Sequence, residues 1–122
     1  MYTRSFNECM LIGKCGVDPE VRYTSKNVPV TNLTVGTVDV WKDKNTDEFK
    51  NETKWHKVVV WGKLAERVSK FVKKGMFILV KGPISYRKYT NAEGQEITIT
   101  EIKAIRVQKI SDPQTYGESH AS

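Results

Sequence analysis

The chain has few of the residues that build catalytic or metal centres. Its only cysteines are Cys9 and Cys15, and its only histidines, His56 and His120, stand apart. No second Cys/His pair follows at a zinc-ligand spacing, so no metal site is expected. On one strand the two cysteines would lie six residues apart at ~3.3 Å each, beyond disulfide reach. Free thiols in a reducing compartment are the expectation. Apolar runs are short as well. The longest, Met76 to Val80, falls far below the roughly 20 residues of a membrane-spanning helix. No Gly-rich phosphate loop precedes a helix, and no Ser, Cys or carboxylate is set near His56 by a catalytic spacing. The interspersed lysines around Asp43, Asp47 and Glu48 argue against a cation site there. Neither a cofactor nor an enzymatic reaction is expected.

The chain is instead basic and indole-bearing. Twenty Lys and Arg against fourteen Asp and Glu give +6 over 122 residues, enough for one domain with one core. A basic excess on a small domain favours a polyanionic partner. The run Trp55-His56-Lys57-Val58-Val59-Val60-Trp61 reads as a strand. Alternation puts Trp55, Lys57, Val59 and Trp61 on one surface and His56, Val58 and Val60 on the other. Two indoles and a cation suit stacking against unpaired bases better than they suit a core. Trp41 ends an earlier strand from Val30, beside Lys42. Tyr89 shares its alternation with Arg87, while Tyr86 and Lys88 point the other way. Base stacking on aromatic rings contributes about 1–3 kcal/mol per base whatever the sequence, and cations add phosphate attraction. These residues point to a single-stranded nucleic-acid binder.

The expected order begins with a strand over Phe6 to Cys15, with Gly13 and Gly16 marking a bulge or bend near its end. A turn at Val17 to Glu20 and a short strand at Val21 to Tyr23 follow. Lys42 to Lys54, almost without apolar residues, reads as a mobile loop carrying lysines. Leu64, Val68, Phe71 and Val72 form one helical stripe over 63–74, with Gly75 as C′ residue. A strand over 76–82 and a hairpin of 84–90 with 96–110, turning at Asn91 to Gly94, complete the domain. Residues 1–111 form the domain and 112–122 a flexible tail. One helix between the third and fourth strands of a small all-β chain predicts the five-stranded Greek-key barrel of the OB-fold. A sandwich would need more strands than this length holds.

The residues also resemble a family. Met10 to Gly13, Gly16 to Tyr23, Thr53 to Val60, Gly62 to Glu66, Lys74-Gly75 and Gly82 to Tyr89 are similar, in order, to bacterial-type single-stranded DNA-binding proteins. The resemblance implies an OB-fold homotetramer, a dimer of dimers, that wraps single-stranded DNA in replication, recombination and repair. It puts stacking aromatics at Trp41, Trp55, Trp61 and Tyr89, and the last two differ from the Phe and Trp common in the family. It puts basic contacts at Arg4, Lys63, Lys74, Arg87 and Lys88, beside Lys57 from the alternation. It puts His56 at a subunit contact. Family members usually end in an acidic, Phe-terminated tip that recruits replication and repair proteins, and Glu118 to Ser122 lacks one. Recruitment therefore stays open: either the tail has been shortened, or this is a tail-less mitochondrial or mobile-element form. The expected place is the bacterial cytoplasm, at the nucleoid, or the mitochondrial matrix, with no membrane partner. An OB-fold adaptor acting as a dimer and a cold-shock-like RNA binder are the competing readings.

Overall fold

The barrel is closed by strands that bend and change partners. The computed structural model describes residues 4–113. They form β1 (Cys9–Cys15), β2 (Arg22–Tyr23), β3 (Pro29–Lys42), β4 (Phe49–Trp61), α1 (Lys63–Phe71), β5 (Phe77–Gly82), β6 (Ile84–Thr90), β7 (Glu96–Ala104) and β8 (Arg106–Ser111). Residues 114–122, most of the expected tail, lie outside the described part.

Eight segments make up the five strands expected of an OB-fold. β1 pairs antiparallel with β3 and β5, and β3 with β4. β7 then runs parallel to β4, with Val58 opposite Ile102 and Val60 opposite Ala104. At Ile105 the chain breaks step, and β8 continues antiparallel to β5. A single kinked strand thus joins β4 to β5 and closes the barrel. The crossing is tight: a Cβ on Gly82 would stand 2.0 Å from the Lys103 carbonyl oxygen. Glycine is required where two backbones approach so closely. In the sequence 96–110 reads as one arm, because nothing local marks a change of partner.

The core follows the alternation. Leu33, Val35, Val58, Val60, Ile78 and Val80 are at most 2% exposed. α1 packs against β3 and β4 and adds Ala65 and Val68 to the same cluster, joined by Val72 just after the helix. Phe71, on the expected apolar stripe, is 37% exposed, and Ala65 takes its place in the core. The helix ends at Phe71, and Val72 is already extended. Gly75 therefore does not cap it. With φ of 89°, Gly75 serves the next turn, closed by the Met76 N–H donating to the Lys73 carbonyl at 3.1 Å. Gly13 marks no bulge: β1 keeps regular register with β5 from Cys9 to Lys14. A Cβ at Gly13 would meet the Gly36 carbonyl oxygen at 2.2 Å.

The expected loop at 42–54 is mostly strand. The β3–β4 ladder runs unbroken from Val30 opposite Trp61 to Lys42 opposite Phe49. Only Asp43 to Glu48 turn the chain, with the Asp43 carboxylate accepting from the Asn45 N–H at 2.8 Å. The outer half of this ladder forms a two-stranded arm with both faces in solvent, so it shows no burial-driven alternation.

Candidate nucleic-acid interface

Strand pairing puts the residues of one surface side by side. On β4, Trp55, Lys57, Val59 and Trp61 face outward, as alternation requires. Trp55 is 53% and Trp61 42% exposed. Val59 is the exception at 6%, being flanked on its face by Asn32 of β3 and Lys103 of β7. Lys57 precedes Val58, so its neighbour across the parallel pair is Glu101, and Glu101 opposes Ser85. Arg87 and Tyr89 lie two and four residues beyond Ser85 and share its face. Trp55, Lys57, Trp61, Arg87 and Tyr89 therefore occupy one face of β4, β7 and β6.

Two clefts flank this face. One is lined by Lys57, Arg87, Glu101, Asn32 and Thr34. The Arg87 Nε donates to Glu101 at 3.3 Å, and the carboxylate is only 8% exposed. Arg87 is half exposed, so it offers its remaining guanidinium donors outward from a fixed base. The other cleft encloses about 680 Å3 between Trp55 and the β1 end, with Lys14, Lys74, Asp18, Gly16 and Gly36 on its walls. The Lys74 N–H donates to the Asp18 carboxylate at 2.8 Å, which ties the turn after α1 to the turn after β1.

Trp55 is seated on glycine. Gly36 is its cross-strand partner, and a Cβ there would come within 2.7 Å of Cζ3 and 2.9 Å of Cη2 of the indole. A Cβ on Gly16 would also meet Cζ3 at 2.7 Å. The six-membered ring thus packs against two bare backbone positions, while the residue stays 53% exposed and open to a stacking partner. The sequence marks Gly16 only as a bend, and Gly36 and Lys14 are not among the expected site residues. The outward alternation of Met10, Ile12 and Lys14 could have identified the lysine.

Other expected residues sit elsewhere. Trp41 is 45% exposed, but it opposes Lys50 on the other face of the arm from Trp55. Lys88 is also on the opposite face from Arg87, 3.7 Å from Glu96. Lys63 begins α1, exposed and two residues beyond Trp61. Arg4 is exposed three residues before Asn7, whose side chain bonds the Ile84 backbone at 2.9 and 3.0 Å. Three arm lysines are paired: Lys42 with Asp47, Lys50 with Asp43 and Lys54 with Asp39, at 2.9–3.1 Å. Those contacts hold the Asp43 carboxyl below the usual range, through the Asn45 N–H first and then Lys50. His56 is half-buried on the inner face, its Nε2 2.8 Å from the Thr37 hydroxyl. It lines a third hollow with Cys9, Ile84 and Thr100. Both cysteines are free, and burial pushes the Cys15 thiol up.

The sequence matches the model of the Single-strand binding protein family over residues 6–110. Single-stranded DNA-binding protein 1 of Xylella fastidiosa (strain 9a5c) is 42% identical over 110 residues, covering 90% of this chain and 81% of the relative. The solved Plasmodium falciparum SSB complex with ssDNA matches with a TM-score of 0.77 at 29% identity, covering 91% of this chain and 100% of that one.

Proposed function

Since the chain belongs to the Single-strand binding protein family, we propose that it coats single-stranded DNA without sequence preference, using the outer face of β4, β7 and β6. It serves replication, recombination and repair as a binding protein and not as an enzyme. The observation that carries this reading is the shared face of Trp55, Lys57, Trp61, Arg87 and Tyr89. Exposed rings give each base a π-surface, and the lysine and arginine between them meet phosphate. Neither contact reads base edges, so affinity is independent of sequence. Lys74 and Lys14 extend the cationic lining past Trp55, and Lys63 extends it past Trp61.

The same chain assembles as a homotetramer, a dimer of dimers. Two features of β1 support this. Cys9 to Ile12 pair with β5 on one side and have no ladder partner on the other among the described residues. Met10 and Ile12 are 62% and 54% exposed on the outer face. An open edge beside an apolar face suits pairing with a second copy across a two-fold axis. The hollow that holds His56 reaches Cys9 of this edge strand as well as Trp55 and Lys57 of the binding face, which supports His56 as a subunit contact beside the groove. Joined subunits then raise the effective concentration of each groove for a bound strand.

The test is titration with oligo(dT) of increasing length, read by tryptophan fluorescence and light scattering together. Strong quenching, salt-sensitive affinity and a tetramer mass are expected. Fluorescence unchanged at saturation overturns the stacking surface, and a clean dimer favours an adaptor.

A further inference from the structure

We propose that Phe49 is a separate base-stacking site, and that the outer face of the β3–β4 arm forms one track for the strand from Trp55 to Phe49. The inference rests on Trp55 marking the strand-binding face. On the Trp55 side of the arm, Val38 opposes Thr53, Val40 opposes Asn51, and Lys42 opposes Phe49. Val38, Val40 and Phe49 are 59%, 64% and 74% exposed. The reverse face is ionic near its middle, with Asp39 opposite Glu52 and bonded to Lys54. A two-stranded arm gains no core from leaving a contiguous apolar strip in water, and such strips mark contact surfaces.

Continuity identifies the occupant. Val38 and Thr53 line the same cleft as Trp55, so the strip begins inside the strand-binding face. Six residues separate Trp55 from Phe49, about 20 Å of extended backbone. At the tip, Trp41 lies beside Lys42 on the opposite face. A strand passing over Phe49 and around the tip reaches Trp41, which is otherwise cut off from Trp55 by the arm itself. Along the track the arm holds its bases mainly by stacking, because Lys42, Lys50 and Lys54 are each paired with an aspartate, while Lys44 at the turn is exposed and has no ion pair among the described residues. A second copy of the chain is the alternative occupant. The open edge and apolar face of β1 already provide for self-association.

The test compares Phe49→Ala, Phe49→Leu and Phe49→Tyr with Trp55→Ala, in oligo(dT) titrations at several salt concentrations. Phe49 is so exposed that its replacement leaves the core intact. Stacking predicts that Ala and Leu both weaken binding by about fivefold or more, while Tyr stays within about twofold of the parent. The slope of affinity against salt should be unchanged, since no phosphate contact is lost. Wild-type binding by the Leu variant overturns the stacking role. Full binding by Phe49→Ala while Trp55→Ala loses affinity overturns the track and leaves the Trp55 face standing. A changed assembly mass for Phe49→Ala assigns the strip to a subunit contact and overturns the proposal. Full binding by Trp55→Ala removes the parent reading and the track with it.

Discussion

Gly36→Ala is a one-methyl perturbation of the binding face. The added Cβ would stand 2.7, 2.9 and 3.0 Å from three atoms of the Trp55 ring, and those are its nearest neighbours. Ordinary contact begins near 3.4 Å, so the indole must lift or tilt by about 0.7 Å, the difference between 3.4 and 2.7. The backbone is not the obstacle, because Gly36 lies in regular strand pairing and alanine favours a strand over glycine by up to about 1 kcal/mol. The fold therefore survives, and the thermal midpoint moves by only a few degrees. Binding responds differently. A base stacked on the ring contributes about 1–3 kcal/mol, and a tilted ring loses a substantial part of that. A loss of about 1 kcal/mol, close to fivefold in affinity, is expected for every oligonucleotide sequence alike. Gly16→Ala is a poorer probe, since its Cβ would also meet the Thr34 hydroxyl at 2.6 Å. The assay is oligo(dT) titration beside circular dichroism melting, with Trp55→Ala as reference. Unchanged or tighter binding by Gly36→Ala, with Trp55→Ala impaired, would refute the claim that the glycine seat sets the ring's pose.

Three further outcomes are expected. Glu101→Gln removes a negative charge beside Lys57 while leaving Arg87 an acceptor, so low-salt affinity should rise about two- to fivefold; weaker binding by a protein of unchanged melting temperature would contradict this. The Asp43 carboxyl is held low, so its contribution to the arm tip is present above the ordinary carboxylate range and lost as pH falls through its depressed value. Amide protection factors at 43–48, corrected for the intrinsic exchange rate at each pH, should hold from pH 7 down through the ordinary carboxylate range and fall only below it, and a loosening already complete at pH 6 would contradict that assignment. Cys15 is 1% exposed with its thiol pushed up by burial, so Cys15→Ser should not change the fast phase of thiol modification in the native protein at neutral pH. Loss of that phase would place Cys15 at the surface.

The barrel was legible because burial imposes period two on its strands. Val58 and Val60 alternating with Trp55, Lys57 and Trp61 record which side is covered, and Leu64, Val68 and Val72 do the same at helical period. The arm was not legible, since both its faces meet solvent and its polar residues satisfy either strand or loop. The break at Ile105 was hidden because the change of partner depends on where β4 and β5 lie, and not on a local turn residue. Of the site, the indoles and cations of β4 were visible as chemistry. Their union with Arg87 and Tyr89 required the parallel pairing of β4 and β7. Glycines bear no side-chain signal, so the seat beneath Trp55 emerges only from cross-strand register. The separation of Trp41 from Trp55 follows from the same register, since one strand pair presents them on opposite faces.

A crystal structure of the chain bound to oligo(dT) puts the central claim to its most direct trial. Bases stacked on the open sides of Trp55 and Trp61, with phosphates near Lys57 and Arg87, are the expected result. A strand lying across the outer face of β1, β5 and β8, with both indoles bare, would contradict it.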